Sequence, residues 1–168
     1  LTLNRVESGK LPFNPASMDL LSFCTSAIDA VRVLALPSHK INFTYEPEII
    51  TGIYDEKLLR HVVLNLFSNA IKYSPSGGTI TISLEKNQDK ISLIVGDEGI
   101  GIPHEDQIQL FEPFFRGKNI GNISGTGLGL SITQRIIEEH HGQIYVESSV
   151  ETGTVFTMKL PLMTGITP

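Results

Sequence analysis

Apolar positions along the chain change their period several times, and each change marks an element. Leu20, Leu21, Cys24, Ile28, Val31 and Ala35 recur at helical spacing, and Pro37 stops them, so the pattern predicts a helix from Leu20 to Ala35. Ahead of it, Pro12 and Pro15 forbid a helix, and Phe13 to Asp19 reads as extended. Earlier still, Leu1, Leu3 and Val6 have partial helical spacing with Gly9 as a C-cap, which predicts the last turns of a preceding helix over Leu1 to Lys10. After Pro37 the period becomes two. Ile41, Phe43 and Tyr45 alternate with polar residues, predicting strands at Lys40 to Glu46 and Ile50 to Tyr54.

Asp55 is a suitable N-cap for the next helix, which runs to about Tyr73 with Leu59, Val62, Val63, Leu66, Ala70 and Tyr73 on its buried stripe. Pro75 and Gly77-Gly78 end it. Thr79 to Glu85 and Ile91 to Val95 form an expected hairpin around Asn87 to Lys90. A glycine-rich, loop-like region then extends from Gly96 to Gly127, with one short helix near Glu105 to Leu110. A helix from about Gly127 to His141 and a strand pair, Ile144 to Glu147 and Thr154 to Leu160, complete the order. That order predicts an α+β fold with a mixed or antiparallel sheet and helices on one face.

Composition narrows the possible chemistry. The chain has 168 residues, 40% hydrophobic and 18% charged, an ordinary globular balance that excludes disorder and coiled coil. No run approaches the roughly 18 apolar residues a membrane span needs, and no basic stretch leads into an apolar run at the start, so no signal peptide is expected. Net charge is -5, and no cluster of Lys and Arg offers a face to nucleic acid. A single cysteine, Cys24, excludes an internal disulfide and a Cys-built metal site, and reads as a small buried hydrophobe.

Long glycine-bearing loops inside compact domains are usually functional, and four segments point to one kind of chemistry. On the helix after Asp55, Asn65, Asn69 and Lys72 form a polar stripe beside the buried one. An Asn carbonyl is a hard neutral ligand suited to magnesium, and a lysine near it can meet phosphates; an ordinary solvated face has the same pattern. Asp97-Glu98-Gly99-Ile100-Gly101-Ile102-Pro103 follows an apolar strand, where a carboxylate can accept the adenine amino proton and the glycines allow close backbone approach. A tight turn alone would also account for it. Gly125-Thr126-Gly127-Leu128-Gly129-Leu130 opens a helix, a place where backbone N–H groups bind phosphate. It is neither a dinucleotide fingerprint nor a P-loop. Phe111 to Lys118 sets aromatics beside Arg116 and Lys118, suggesting a mobile flap anchored by Phe114 and Phe115, with Arg116 reaching a terminal phosphate and Gly117 to Ser124 mobile without nucleotide. Core phenylalanines are the plainer alternative.

In this order the four segments resemble the catalytic and ATP-binding domain of sensor histidine kinases. Asn65 to Tyr73 resembles the family's asparagine box and Asp97 to Pro103 its first glycine box. Phe111 to Arg116 is similar to its phenylalanine box and Gly125 to Leu130 to its second glycine box. Gly153-Thr154 and Leu160-Pro161 match its closing strand, and Arg5 to Lys10 is similar to the end of the preceding helical hairpin. The resemblance implies a two-layer α/β sandwich with a mixed, mostly antiparallel sheet and a flexible nucleotide lid. It divides the chain into the end of a dimerisation hairpin (1–11), an ATP-binding catalytic domain (12–162) and a tail (163–168). It also implies ATP and Mg2+ as ligands. Asn69 would hold the metal, and Asp97 would read adenine with Thr154 supporting it through water. Lys72, Arg116 and the amides of Gly127 to Gly129 would hold phosphates, and Tyr73 would flank the base or ribose. Gly99, Gly101, Ile102, Gly125, Thr126 and Leu128 complete the ATP-binding set, and Asn65, Lys72 and Arg116 form the catalytic one.

The acceptor histidine of such kinases has no counterpart here. His104-Glu105 imitates the acceptor pair but follows the first glycine box and reads as a loop histidine. His61 reads as helix surface, and His140 and His141 as a helix C-terminus where charge is mildly favoured. The expected reaction is therefore transfer of the ATP γ-phosphoryl group to a histidine on a separate dimerisation domain, with a response regulator downstream. ATPases of the same fold carry a glutamate four residues before the magnesium asparagine. Here that position is Asn65, which cannot take a proton from water. A hydrolase, or a nucleotide-binding module without turnover, is the competing reading. The isolated chain is expected to be a cytoplasmic monomer without membrane contact, though its parent can be membrane-anchored.

Overall fold

A computed structural model describes residues 12–46 and 50–163. The helix expected over Leu1 to Lys10 and the tail from Thr164 lie outside the described residues. In chain order the elements are β1 (Ala16–Asp19), α1 (Leu20–Arg32), β2 (His39–Tyr45), β3 (Thr51–Tyr54) and α2 (Glu56–Lys72). They continue as β4 (Gly78–Asn87), β5 (Lys90–Asp97), the single-turn α3 (His104–Gln107), α4 (Gly129–Glu139), β6 (Gln143–Ser149) and β7 (Gly153–Pro161).

Five strands form one sheet in the order β2-β4-β5-β7-β6. The β2–β4 pair is parallel and the others antiparallel, so the sheet is mixed and mostly antiparallel, as the sequence implied. Alternation decides which face is covered. Ile80, Ile82 and Leu84 of β4, Ile91, Leu93 and Val95 of β5, and Phe156, Met158 and Leu160 of β7 are buried, and the helices pack over them. The central helix α2 touches α1, α4 and the sheet. Its buried side is accordingly wider than the expected stripe, with Leu58, Phe67 and Ile71 added to it.

Two boundaries differ from the sequence reading for local reasons, and a third difference comes from a distant pairing. Helix α1 stops at Arg32 because Leu34 and Ala35 donate to Val31 and Arg32 carbonyls, tightening the last turn before Pro37. The β4–β5 hairpin closes more tightly than expected, since Gln88 adopts φ 54° and the strands pair up to Asn87 and Lys90. Within the extended Phe13 to Asp19, only Ala16–Asp19 forms β1, which pairs antiparallel with β3 in a small second sheet. Thus β3 does not join the main sheet.

One cluster links that small sheet to both principal helices. Asp55, only 4% exposed, caps α2 by accepting from the Leu58 N–H at 3.0 Å, and its other oxygen accepts from the Asn14 N–H at 2.8 Å. Its own N–H donates to His140 Nε2 at 3.1 Å, while His140 Nδ1 lies 2.8 Å from the Ile136 carbonyl. His140 is fully buried and stacks edge-on against Phe13 at 4.9 Å. The expected charged helix-end histidine is instead a neutral core group, with burial holding its pKa below the ordinary 6.5.

His140→Leu should cost about 1–3 kcal/mol at neutral pH by stranding the Asp55 N–H. Because the folded pKa is lowered, the unfolded chain takes up the proton first. The stability from neutral His140 is full above about pH 6.5 and drains as pH falls through the lowered value. Thermal melts should therefore show a parent protein that loses stability on acidification, and a leucine variant that starts lower and loses less.

Candidate nucleotide-binding site

A cleft opens between α2, the C-terminal end of β5, the segment after α3 and the N-terminus of α4. Its volume of about 220 Å³ is more than tenfold the ~10–15 Å³ that holds one water, so it suits a ligand rather than trapped solvent. Asn65, Asn69, Lys72 and Tyr73 contribute one wall, because spacings of four and three place them on one side of α2. The other walls come from Asp97, Gly101, Ile102, Arg116, Gly125, Thr126, Gly127, Gly129 and Thr154. Four segments far apart in sequence thus meet around one space.

Two residues expected at the site lie outside the cleft wall. Gly99 sits behind it, its N–H donating to Asp97 Oδ1 at 2.9 Å, and a Cβ there would fall 2.2 Å from the Tyr73 carbonyl. Leu128 is the residue ahead of α4, and its carbonyl accepts from the Ser131 hydroxyl and the Ile132 N–H. Phe114 also departs from the anchoring expected of it. It is 67% exposed at φ 66°, while its N–H donates to the Gly127 carbonyl at 2.9 Å; Phe115 is the one that lines the cleft.

The floor is set by strand register. Asp97 ends β5 directly opposite Thr154 of β7, and it is 9% exposed. Burial raises its carboxyl pKa above 3.8, and backbone N–H groups of Gly99 and Thr154 hold it back down in part. Ser148 lies beside this floor and was absent from the sequence reading. Its hydroxyl is 2.9 Å from Thr154 Oγ1, and it accepts from the Ile102 N–H at 2.8 Å, which fixes the glycine turn against β6. Gly101 makes that seating possible: it has φ 63°, and a Cβ would lie 2.0 Å from the Ser149 carbonyl.

The cleft also carries two cationic side chains, Lys72 and Arg116. Lys72 Nζ stands 4.9 Å over the Tyr73 ring and 3.4 Å from its hydroxyl, and among the described residues it has no ion pair. The glycine-rich turn reaches α4 beside it, bringing backbone N–H groups and the positive helix end to the same space. Arg116 donates to the Ile123 carbonyl, folding Gly117 to Ser124 back on itself. The root of that segment is held as well: Asp106, 2% exposed, accepts from the Lys118 N–H at 2.8 Å, and Asn119 Nδ2 donates to the Gly101 carbonyl at 2.9 Å. Asn119 was missed because an amide inside a glycine-rich loop has no spacing signal.

Among the described residues no three His, Cys, Asp or Glu side chains cluster as a metal cage. The donors at hand are the amides of Asn65 and Asn69. Such a poor, neutral oxygen set fits Mg2+, which keeps its waters and takes phosphate oxygens, and does not fit a transition metal.

A carboxylate at a sheet end, facing a lysine and a glycine-lined helix N-terminus, defines a nucleotide-binding cleft on an α+β sandwich. A family described as histidine kinase-, DNA gyrase B-, and HSP90-like ATPase matches residues 54–164, more than half of the chain. The catalytic domain of the histidine kinase ThkA superposes at a TM-score of 0.76 with 30% identity, covering 89% of this chain and 97% of that one. For a mycobacterial sensor histidine kinase, MprB, the TM-score is 0.80 at 27% identity, covering 89% and 100%. The adaptive-response sensory kinase SasA of Rippkaea orientalis is 45% identical over 118 residues, 69% of this chain and 30% of that protein. SasA of a Synechococcus strain is 36% identical over 156 residues, 91% of this chain and 41% of that protein. The chain thus spans less than half the length of these SasA relatives. It belongs to the histidine kinase-, gyrase B- and HSP90-like ATPase family, as an ATP-binding catalytic domain of the histidine kinase type.

Gly101→Ala should destabilise the fold by at least about 2 kcal/mol, since it combines a left-handed φ with a backbone clash. Denaturant melts check this, and an unchanged midpoint would contradict the seating described.

Proposed function

We propose that this domain binds Mg2+–ATP and transfers the γ-phosphoryl group to a histidine on the dimerisation domain of its parent protein. One observation carries the choice of transfer over hydrolysis. Among the described residues the cleft wall contains a single carboxylate, Asp97, at the sheet end, where two backbone N–H groups share it and leave acceptor capacity for a ligand. At the opposite end, the position expected for a water-activating glutamate is Asn65. An amide accepts a hydrogen bond but takes up no proton, so nothing on this wall readies water for attack.

The residues divide the nucleotide between them. Asp97 accepts the adenine amino proton, with Thr154 beside it, and the glycine turn through Ile102 lies against the base. Tyr73 flanks the base or ribose. Lys72, Arg116 and the N–H groups of Gly125, Thr126, Gly127 and Gly129 hold phosphates. Asn69 would hold the magnesium through its carbonyl oxygen; the metal, when bound, neutralises phosphate charge. Catalysis is then mainly positioning and charge compensation. The incoming imidazole nitrogen forms the new P–N bond as the bond to the bridging oxygen breaks, and ADP leaves. The segment Gly117 to Ser124 acts as the lid. Among the described residues no helix is long and apolar enough to cross a membrane. In this reading the domain works in the cytoplasm, upstream of a response regulator.

Label transfer tests the reading. The chain, γ-labelled ATP, magnesium and the histidine-bearing segment of the parent should give acid-labile, base-stable label on that segment. Free phosphate without label would assign the domain to the hydrolases instead. Asp97→Asn should weaken ATP binding by more than about tenfold, about 1.4 kcal/mol. Unchanged titration calorimetry would remove Asp97 as the adenine reader.

A further inference from the structure

Three consecutive carbonyls of the first glycine turn accept from side-chain amides of the segment that follows it. Asn119 Nδ2 donates to the Gly101 carbonyl at 2.9 Å and lies 3.3 Å from that of Ile100. Gln107 Nε2 donates to the Ile102 carbonyl at 3.0 Å and to the Ser148 carbonyl at 2.8 Å. A carbonyl only accepts, so each amide presents its NH2 end and its orientation is settled. Asp106 adds a third tie. Its carboxylate is buried and accepts from the Lys118 N–H at 2.8 Å, while Lys118 Nζ lies 3.9 Å from its other oxygen. A buried carboxylate is costly without such partners. Glycine turn, α3, β6 and the stretch up to Asn119 therefore form one hydrogen-bonded block.

Beyond Asn119 the pattern changes. The Ile123 N–H donates to the Ile120 carbonyl at 3.0 Å, and the Ile123 carbonyl accepts from Arg116 at 2.5 Å. Both bonds stay inside the loop, and among the described residues no hydrogen bond or ion pair ties Ile120 to Ser124 to a helix or strand. Gly121, at φ 52°, stands clear, since a Cβ there would meet nothing within 4 Å. We infer that Asn119 is a positioning residue that clamps the root of the lid to the glycine turn, so that the lid hinges after Asn119 and only Ile120 to Ser124 moves. The inference rests on reading the cleft as a nucleotide site, since that reading makes the segment a lid. Asn119 and Ile120 both line the cleft, so the hinge divides its wall into a fixed part and a moving part. The moving part leads to Gly125, where a Cβ would lie 3.0 Å from Lys72 Nζ. The side of the cleft formed by the glycine turn is thus built before nucleotide arrives, and closure concerns the side of Lys72.

NMR relaxation of backbone amides in the nucleotide-free chain locates the hinge. Order parameters should hold at about 0.85 through Lys118 and Asn119 and fall below about 0.6 from Gly121 to Ser124. A fall that starts at Gly117, or no fall, would overturn the hinge. Asn119→Asp keeps the shape of the side chain but sets an oxygen against the two carbonyls, and Asn119→Ala removes the amide. Both should carry the fall back to Asn119 and speed hydrogen exchange at the Lys118 amide about threefold to tenfold, in line with one net hydrogen bond. Because Asn119 is exposed, the melting temperature should stay that of the parent. A lowered melting temperature with equal acceleration at the β5 amides would mean general loosening and overturn the clamp, as would variants that keep the parent profile. ATP added to the parent should order Ile120 to Ser124 and leave Lys118 and Asn119 unchanged; binding that leaves the tip mobile would overturn its role in closure. Calorimetry on the same sample separates the two readings. A parent that binds no ATP overturns the site reading, whereas a nucleotide-free profile without the step at Asn119 overturns this inference alone.

Discussion

The N-terminus of α2 is the constraint on which the rest of the structure depends. A buried carboxylate is costly unless hydrogen-bonded, and Asp55 meets that condition by capping the helix, holding Asn14 and donating its own N–H to His140. Those contacts fix the start of α2 relative to the β1–β3 sheet and to the end of α4. Because a helix is rigid, fixing its start also fixes the azimuth of Asn65, Asn69 and Lys72 further along it. The opposite end of α4 carries the glycine turn, so one buried cluster sets both helices that face the nucleotide.

Charge is then distributed along the cleft in a way that suits a nucleotide. Its base offers a donor and its phosphates bring anionic charge. The sheet supplies the acceptor, because β5 ends at Asp97 where the register with Thr154 leaves the carboxylate at the floor. The helices supply positive charge, from Lys72 and from an N-terminal backbone. Asp97 and Lys72 do not neutralise each other, since among the described residues Lys72 forms no ion pair. Both ends stay available for a ligand.

Much of this was legible in the sequence, and the reasons are specific. The period-two runs gave β4, β5 and β7, and the Asp55 cap and stripe gave α2, because local pattern and tertiary burial agree there. Asn65, Asn69 and Lys72 could be grouped because helical spacing converts directly into a shared face. What failed to show depends on contacts between distant residues. The pairing of β1 with β3, the burial of His140 and the part played by Ser148 at the floor each need a partner over thirty residues away. Exposure of Phe114 was illegible for a related reason, since only the Gly127 carbonyl and a left-handed φ turn it outward.

The same logic explains how one fold can serve phosphoryl transfer as well as hydrolysis. Holding a nucleotide demands a carboxylate at the sheet end, a cation and N–H groups at the phosphate end, and space between them. None of these activates water. Hydrolysis needs one thing more, a base near the γ-phosphoryl group, and a carboxylate there would be stabilised by the same positive surroundings that hold the phosphates. An amide at that position keeps the geometry and removes the proton acceptor. On the reading proposed above, Asn65, in contact with Thr133 and fitted against Gly129, leaves a cleft suited to holding ATP, and the group that accepts the phosphoryl, with any base that readies it, would come from another domain.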